Sequence, residues 1–216
     1  PVPFYTVSLE LPGLTVSGER MSDRASAQQL KEACQGAAVT IKKVECKEKS
    51  EKPPALYDLT TLQRDANRLF GFTAQQTLDY LQSLYEKKLC TYPRTDSRYL
   101  TGDMADSLPV LVNLVANAMP FRKGIAITCD PQTVINDKKV TDHHAVIPTR
   151  NLKDADLSAL PAGEKAVLEL VTLRLLCAVA KPHIYSETVV IAACAGGEFT
   201  AKGKTVKQIG RASCRE

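Results

Sequence analysis

The stretch around which this sequence is organised is Leu89-Cys90-Thr91-Tyr92-Pro93-Arg94-Thr95-Asp96-Ser97-Arg98-Tyr99-Leu100. Pro93 disfavours helical backbone at Tyr92 and favours an extended conformation there. Because residues i and i+2 of extended backbone project to the same side, we expect Tyr92 and Arg94 to face the same space. Such a pair suits attack on a phosphodiester, with the phenolate as nucleophile and the guanidinium neutralising charge on the phosphoryl oxygens. An unperturbed phenol has a pKa of about 10, so attack near neutral pH requires that electrostatic support. Taken alone, the two residues fit better a half-buried strand tyrosine and a surface arginine.

Two further blocks flank this stretch. They are Pro53-Pro54-Ala55-Leu56-Tyr57-Asp58-Leu59-Thr60-Thr61-Leu62-Gln63 and Asp142-His143-His144-Ala145-Val146-Ile147-Pro148-Thr149. In this order, the three blocks resemble the motifs of type IA DNA topoisomerases, in the form carried by bacterial topoisomerase III. The resemblance covers much of the chain. It implies that a tyrosine attacks single-stranded DNA, forms a 5′-phosphotyrosyl link and leaves a free 3′-hydroxyl. Another strand passes through the gap, and the hydroxyl reverses the attack without ATP.

The motif match implies a role for each of three side chains. Tyr92 is the nucleophile, Arg94 positions and neutralises the scissile phosphate, and His143 contacts that phosphate. Supporting or DNA-contacting residues are expected at Thr95, Asp96, Ser97, Arg98, His144 and Arg174.

Two of these candidates have competing interpretations. His143 and His144 are neighbours, and neighbours on a strand point to opposite faces, so they make a poor metal chelate and no metal site is predicted. A hydrogen-bonded loop histidine is the alternative to a proton donor at His143. Arg174 lies in an apolar helical pattern, where an exposed, snorkelling arginine is favoured over a phosphate contact.

The hydrophobic period changes along the chain. Period-two patterns predict strands at residues 5–9, 38–46 and 185–193, with hairpin turns at Pro12-Gly13 and Gly196-Gly197. A short helix is predicted at 26–34, and the charged run 47–52 is predicted to be a solvated linker. In the middle, capping boxes at Thr60-x-x-Gln63 and Thr73-x-x-Gln76 predict two helices, with Gly71 ending the first. Further helices are predicted at 103–118 and 164–180.

The resemblance implies an α+β fold that agrees with this change of period. A mostly helical, winged-helix-like domain carrying the tyrosine, residues 55–181, is inserted into a β-rich arch, residues 1–54 and 182–208. Residues 209–216 resemble a translated sequencing adaptor and are left out of the fold prediction. We expect the chain to be an internal fragment, truncated at both ends.

Composition limits the partners. With 44% hydrophobic and 24% charged residues, the 216-residue chain has the profile of a globular protein, and its net charge of +4 permits a polyanionic partner. No apolar run is long enough to cross a membrane. The seven cysteines form no Cys-x-x-Cys pair, which favours reduced thiols in the cytoplasm over a zinc site. Gly197–Gly203 has one residue too many between its glycines for a P-loop, so no nucleotide is expected.

The sequence contains no Asp-x-Asp-x-Glu cluster of the kind with which the family binds Mg²⁺. We therefore expect Mg²⁺ to be bound by another domain of the full-length enzyme. The chain alone, as a monomer, should bind single-stranded DNA weakly and should not relax supercoils. Two alternatives are a winged-helix DNA-binding module without chemistry, supported by the paired capping boxes, and a structural fragment without independent function.

Overall fold

The computed structural model of this chain describes residues 2–118 and 128–208. These divide into two compact units. We call them the sheet unit, which comprises the residues up to Ser50 together with Ile184–Gln208, and the helical unit, Glu51–His183. The domain boundaries predicted from the sequence, after Pro54 and after Lys181, stay predictions. The predicted adaptor-like tail, 209–216, lies outside the described residues.

The sheet unit is built on five strands in the order β1-β2-β5-β4-β3. Their bounds, with that of the one α-helix in the described part of this unit, are β1 Ser8–Leu11, β2 Leu14–Gly18, α1 Arg24–Cys34, β3 Thr40–Glu51, β4 His183–Cys194 and β5 Gly197–Gln208. The predicted hairpins are both present. The turn between β4 and β5 lies one residue earlier than predicted, at Ala195 and Gly196, whose φ angles are 47° and 80°. Two successive positive φ angles form the tight turn that matches the twist of a hairpin.

The linker predicted at residues 47–52 is wrong. Strand β3 continues through that run to Glu51. Lys49 forms an ion pair with Glu187 of β4, and Lys207 of β5 donates to Glu48 across 2.9 Å. The first part of β3 lies within the strand predicted at 38–46, whereas residues 47–51 are all charged or polar and lack the alternation of apolar and polar residues by which a strand is detected in sequence.

The helical unit carries four α-helices among its described residues and has its own hydrophobic core. Their bounds are α2 Leu59–Phe70, α3 Ala74–Glu86, α4 Leu108–Ala118 and α5 Ala162–Ala178. Short 3-10 segments connect them, including Gly102–Met104 ahead of α4, where a continuous helix was predicted from residue 103. The apolar stripe of α5 is buried as predicted, with Leu168 and Leu175 at most 2% exposed. The α+β class is confirmed, and no described helix is both long and apolar enough to cross a membrane.

The second predicted capping box is confirmed. The amide of Gln76 donates to Thr73 Oγ1 across 3.1 Å, and the amide of Thr73 donates to Gln76 Oε1 across 2.9 Å. Gly71 ends α2 in the left-handed conformation at φ 72°, as its position predicts. These local signals therefore define the turn between α2 and α3.

The first predicted capping box is wrong. The cap of α2 is Asp58, whose carboxylate accepts from the Thr61 amide across 2.6 Å and from Thr61 Oγ1 across 2.7 Å. An ionised carboxylate accepts more strongly than a hydroxyl, and it lies favourably at the positive end of the helix dipole. The helix therefore begins one residue before Thr60, which lies inside its first turn.

Candidate active site

The central stretch of the helical unit bends at Pro93, has no helix or turn at residues 94–99, and alternates in burial. Pro93, Thr95 and Ser97 are buried, whereas Arg94 and Asp96 are exposed. This is the alternation that extended backbone produces. It places the cation and the carboxylate on the solvent side, and it directs both hydroxyls into the protein.

The three sequence blocks meet in the helical unit through backbone hydrogen bonds. The amide of Thr91 donates to the carbonyl of Ile147 across 2.9 Å, which joins the central block to the downstream block. The amide of Leu59 donates to the carbonyl of Thr95 across 3.1 Å, which joins the upstream block to the central one. Residues separated by some fifty positions in sequence are thereby held at fixed spacing, as a site of several groups requires.

Tyr92 lies between two aromatic rings. The ring centroids of Tyr92 and His143 are 4.3 Å apart, with an interplanar angle of 37°. The ring of Tyr92 also packs edge to face against the ring of Tyr85 on α3, with the ring centroids 5.6 Å apart and an interplanar angle of 84°. Tyr92 is half-buried and His143 is exposed, so the pair is open to a ligand.

Tyr85 is a neighbour of the site that the sequence did not identify. It shares the helical spacing of Leu78 and Leu81, which is typical of a packed face, yet it is 40% exposed at the end of α3. A helical stripe predicts which face packs, but it does not show where the last turn leaves the core. The contact with Tyr92 depends on the path of the chain between Glu86 and Tyr92.

The hydroxyls of Thr95 and Ser97 bond within the protein. Thr95 Oγ1 donates to the carbonyl of His143 across 2.9 Å and accepts from the Ser97 amide across 3.1 Å. Ser97 Oγ donates to the carbonyl of Lys139 across 2.9 Å. These bonds fix the backbone that carries His143, and the DNA contacts predicted for the two hydroxyls stay predictions.

The remaining candidate side chains differ in their exposure and in whether they have hydrogen-bond partners. Within the part of the chain that the structure describes, the exposed Arg94 makes no ion pair or hydrogen bond. Arg98 is half-buried and donates through Nε to the carbonyl of Leu56 across 3.1 Å. Nδ1 of the half-buried His144 lies 2.8 Å from the carbonyl oxygen of Ala145. Across residues 2–118 and 128–208, no group of three or more His, Cys, Asp or Glu side chains is arranged to hold a metal ion.

Arg174 of α5 is not the exposed side chain that its helix pattern indicated. Its side chain is 19% exposed, and it pairs with Asp65 of α2 at 2.5 Å. It also stacks on the ring of Tyr57, with the guanidinium carbon 4.0 Å from the ring centroid. A helix buried on most of its circumference can keep an arginine only with such partners. The predicted DNA contact of Arg174 stays a prediction.

Comparison with known proteins gives consistent matches. A family model described as DNA topoisomerase matches residues 1–212. The DNA topoisomerases 3 of Bacillus licheniformis and Bacillus subtilis are 38% and 37% identical to this chain, over 97% of its length. The chain spans 30% of the length of each of these relatives.

A solved structure shares the fold. The full-length topoisomerase I of Thermotoga maritima superimposes with a TM-score of 0.70 at 23% identity, covering 98% of this chain and 35% of that one. The family match extends over nearly the whole sequence and includes all three blocks that meet at Tyr92. This chain therefore belongs to the DNA topoisomerase family.

Proposed function

We propose that this chain carries the nucleophile of a type IA DNA topoisomerase and that Tyr92 is that nucleophile. The observation that carries the proposal is the placement of the Tyr92 ring 4.3 Å from the ring of His143, with the exposed Arg94 two residues further along the chain. A phenol beside an imidazole, with an exposed guanidinium two residues away in sequence, supplies the groups that a phosphodiester receptor needs.

The proposed reaction is a transesterification, in which one phosphoester bond breaks and another forms. Tyr92 Oη attacks the phosphorus of a DNA strand and loses its proton, while the bond from phosphorus to the 3′ oxygen breaks. The departing oxygen takes up a proton and becomes a free 3′-hydroxyl, and the 5′ phosphate remains on the tyrosine. One phosphoester replaces another, so the reverse attack by the hydroxyl reseals the strand without a nucleotide cofactor.

The neighbouring cation and imidazole have separate roles in this proposal. Arg94 neutralises charge on the phosphoryl oxygens, for which its guanidinium is free of other described partners. His143 donates a hydrogen bond to the same phosphate. Contacts to the flanking DNA are assigned to exposed Asp96, half-buried Arg98 and His144.

The wider architecture and the metal are also proposals. The helical unit would be the winged-helix-like tyrosine domain and the sheet unit part of the β-rich arch. The enzyme would act as a monomer on single-stranded DNA in the bacterial cytoplasm. The described residues do not provide a Mg²⁺ site, so we derive no step through the metal. We assign it to the part of the relatives' length that this chain does not match.

The test is a covalent trap in a hybrid enzyme. The matched segment of the Bacillus subtilis relative is replaced by this chain, and the hybrid is incubated with Mg²⁺ and a single-stranded oligonucleotide before denaturation. A label at the 3′ end should stay with the protein, and a label at the 5′ end should be released, because the tyrosine keeps the 5′ phosphate.

Two variants decide the assignment. Tyr92→Phe removes the attacking oxygen and should abolish the adduct, whereas Tyr80→Phe removes a phenolic hydroxyl on α3 and should leave the adduct unchanged. An adduct that persists in Tyr92→Phe would contradict the proposal. A folded hybrid that binds the oligonucleotide without forming an adduct would favour the DNA-binding module without chemistry.

A further inference from the structure

A buried polar cluster lies behind the candidate active site, within the helical unit. Arg174 of α5 donates through Nη2 to Asp65 Oδ2 at 2.5 Å and to the hydroxyl of Tyr57 at 2.9 Å. Through Nη1 it donates to the carbonyl of Ala55 at 3.3 Å. The hydroxyl of Tyr57 in turn donates to Asp65 Oδ2 at 2.7 Å. Each of these polar groups has partners, so the cluster is closed and specific.

The three side chains of the cluster are largely removed from solvent. Asp65 and Arg174 are 20% and 19% exposed, and Tyr57 is 2% exposed. Burial raises the pKa of Tyr57 to about 12, so its hydroxyl stays a donor at any pH at which the protein is assayed. Removing Arg174 takes the side-chain donor from the Ala55 carbonyl and leaves Asp65 with Tyr57 and with Arg68, whose Nη2 lies 3.3 Å from Asp65 Oδ1.

The cluster holds the segment Ala55–Leu59, which joins the other two sequence blocks. The carbonyl of Tyr57 accepts from the amide of Val146 at 2.8 Å, three residues beyond His143. The amide of Leu59 donates to the carbonyl of Thr95 at 3.1 Å, three residues beyond Tyr92. The segment is therefore a bracket between the chain that carries the tyrosine and the chain that carries the histidine.

We infer that Arg174 is a positioning residue, which acts through Tyr57 and the bracket Ala55–Leu59 to fix the spacing between Tyr92 and His143. Its effect on DNA cleavage rests on the proposed function, whereas its effect on the bracket does not. This role differs from a contact with DNA, because the donors that bind the bracket point into the protein.

The chain offers a matched control on the same helix. Glu164 of α5 is 6% exposed, pairs with Lys87 Nζ at 2.5 Å and accepts from Ser83 Oγ at 2.8 Å. The lysine of this second ion pair is 42% exposed, the pair joins α5 to the end of α3, and none of its described bonds reaches Ala55–Leu59. Glu164→Gln therefore perturbs helix packing without touching the bracket.

The first readout is amide hydrogen exchange in this chain, at a temperature where every variant is folded. Arg174→Met should accelerate exchange of the Leu59 and Val146 amides by about tenfold or more, and Glu164→Gln should change it by less than about twofold. Arg174→Lys should fail to restore protection, because one ammonium cannot reach Ala55 and Asp65 as the guanidinium fork does. Equal acceleration in the Met and Gln variants, or none in the Met variant, would overturn the inference.

The second readout is cleavage by the hybrid enzyme. Arg174→Met should lower the rate of adduct formation on bound oligonucleotide by about 10- to 100-fold, while the dissociation constant stays within about twofold. A weaker dissociation constant with an unchanged rate on bound DNA, restored by Arg174→Lys, would show a DNA contact and overturn positioning. If the unsubstituted hybrid forms no adduct, the proposed function fails, and the exchange measurement still decides the role of Arg174.

Discussion

Gly163, in the first turn of α5, lies against the ring of Tyr80 on α3. A Cβ atom built on Gly163 would lie 2.6 Å from Tyr80 Cε2, 2.8 Å from Cε1 and closer still to Cζ. The Tyr80 ring is itself held, because it meets Phe72 edge to face with ring centroids 5.3 Å apart. The substitution Gly163→Ala therefore tests the packing of α3 on α5.

Two effects of opposite sign compete in this substitution. Alanine favours helix over glycine by up to about 1 kcal/mol, which would stabilise α5. Forcing an extra methyl group into a filled space costs about 1 to 3 kcal/mol. Since the ring must move by a large fraction of an ångström, we expect the second effect to win and the free energy of unfolding to fall by about 1 to 2 kcal/mol.

The assay is urea denaturation followed by circular dichroism at 222 nm, in a double-mutant cycle with Tyr80→Leu. With the ring removed, Gly163→Ala should stabilise the protein by about 0.5 to 1 kcal/mol, because only the propensity term remains. A stabilising Gly163→Ala in the unsubstituted protein would refute the packing that the structure shows between these helices.

Three further predictions follow from individual residues. Hydrogen bonds from Ser26 lower the pKa of Asp23, the cap of α1, so its stabilisation is complete above the ordinary aspartate value of about 4 and is lost as the pH falls through the lower folded value. Asp23→Asn should make the acid dependence of unfolding shallower below about pH 4; an unchanged slope would contradict the cap. Burial raises the pKa of Cys90 to about 12, so maleimide at pH 8 should label exposed Cys46 and spare Cys90 in peptide maps, and equal labelling of the folded protein would contradict this burial. Lys88 has a φ of 59°, so Lys88→Gly should raise the free energy of unfolding by about 0.5 to 1 kcal/mol in urea titrations, and a loss would refute strain at that position.

The helices of the helical unit were predictable because their signals are local. The Thr73–Gln76 box and the glycine at Gly71 act within one turn of the backbone, and each is found as predicted. The buried stripe of α5 follows from its spacing alone. Such features depend on the chain within a few residues, which a sequence displays directly.

The features that were predicted wrongly from the sequence depend either on partners far away in the chain or on which of two nearby residues forms a bond. Strand β3 is held by pairing with β4, more than a hundred positions away, and its last five residues, which were predicted as a linker, are all charged or polar. The burial of Arg174 requires Asp65 and Tyr57 opposite it, which no periodicity reveals. Two nearby side chains, Asp58 and Thr60, could each have capped the start of α2. The prediction took the hydroxyl of Thr60, whereas the carboxylate of Asp58, which is the stronger acceptor, forms the cap.

The sequence proposed residues for the candidate site but not the contacts between them. The motif resemblance named Tyr92, Arg94 and His143, whereas the aromatic contact of Tyr92 with Tyr85 emerged only from the folded chain. A supporting or DNA-contacting role was expected for Thr95 and Ser97, but the sequence did not show that they bond to the carbonyls of His143 and Lys139, which lie 48 and 42 positions away.

The central claim is that Tyr92 takes up the 5′ phosphate of a cleaved DNA strand. Trypsin cuts after Lys88 and Arg94, which leaves the peptide Leu89–Arg94 with Tyr92 as its one tyrosine. The decisive measurement is mass spectrometry of the trapped hybrid adduct after digestion with nuclease and trypsin. Attack by Tyr92 would leave a nucleotide phosphate on that peptide, attached to the tyrosine oxygen. A nucleotide on any other peptide, with Leu89–Arg94 unmodified, would contradict it.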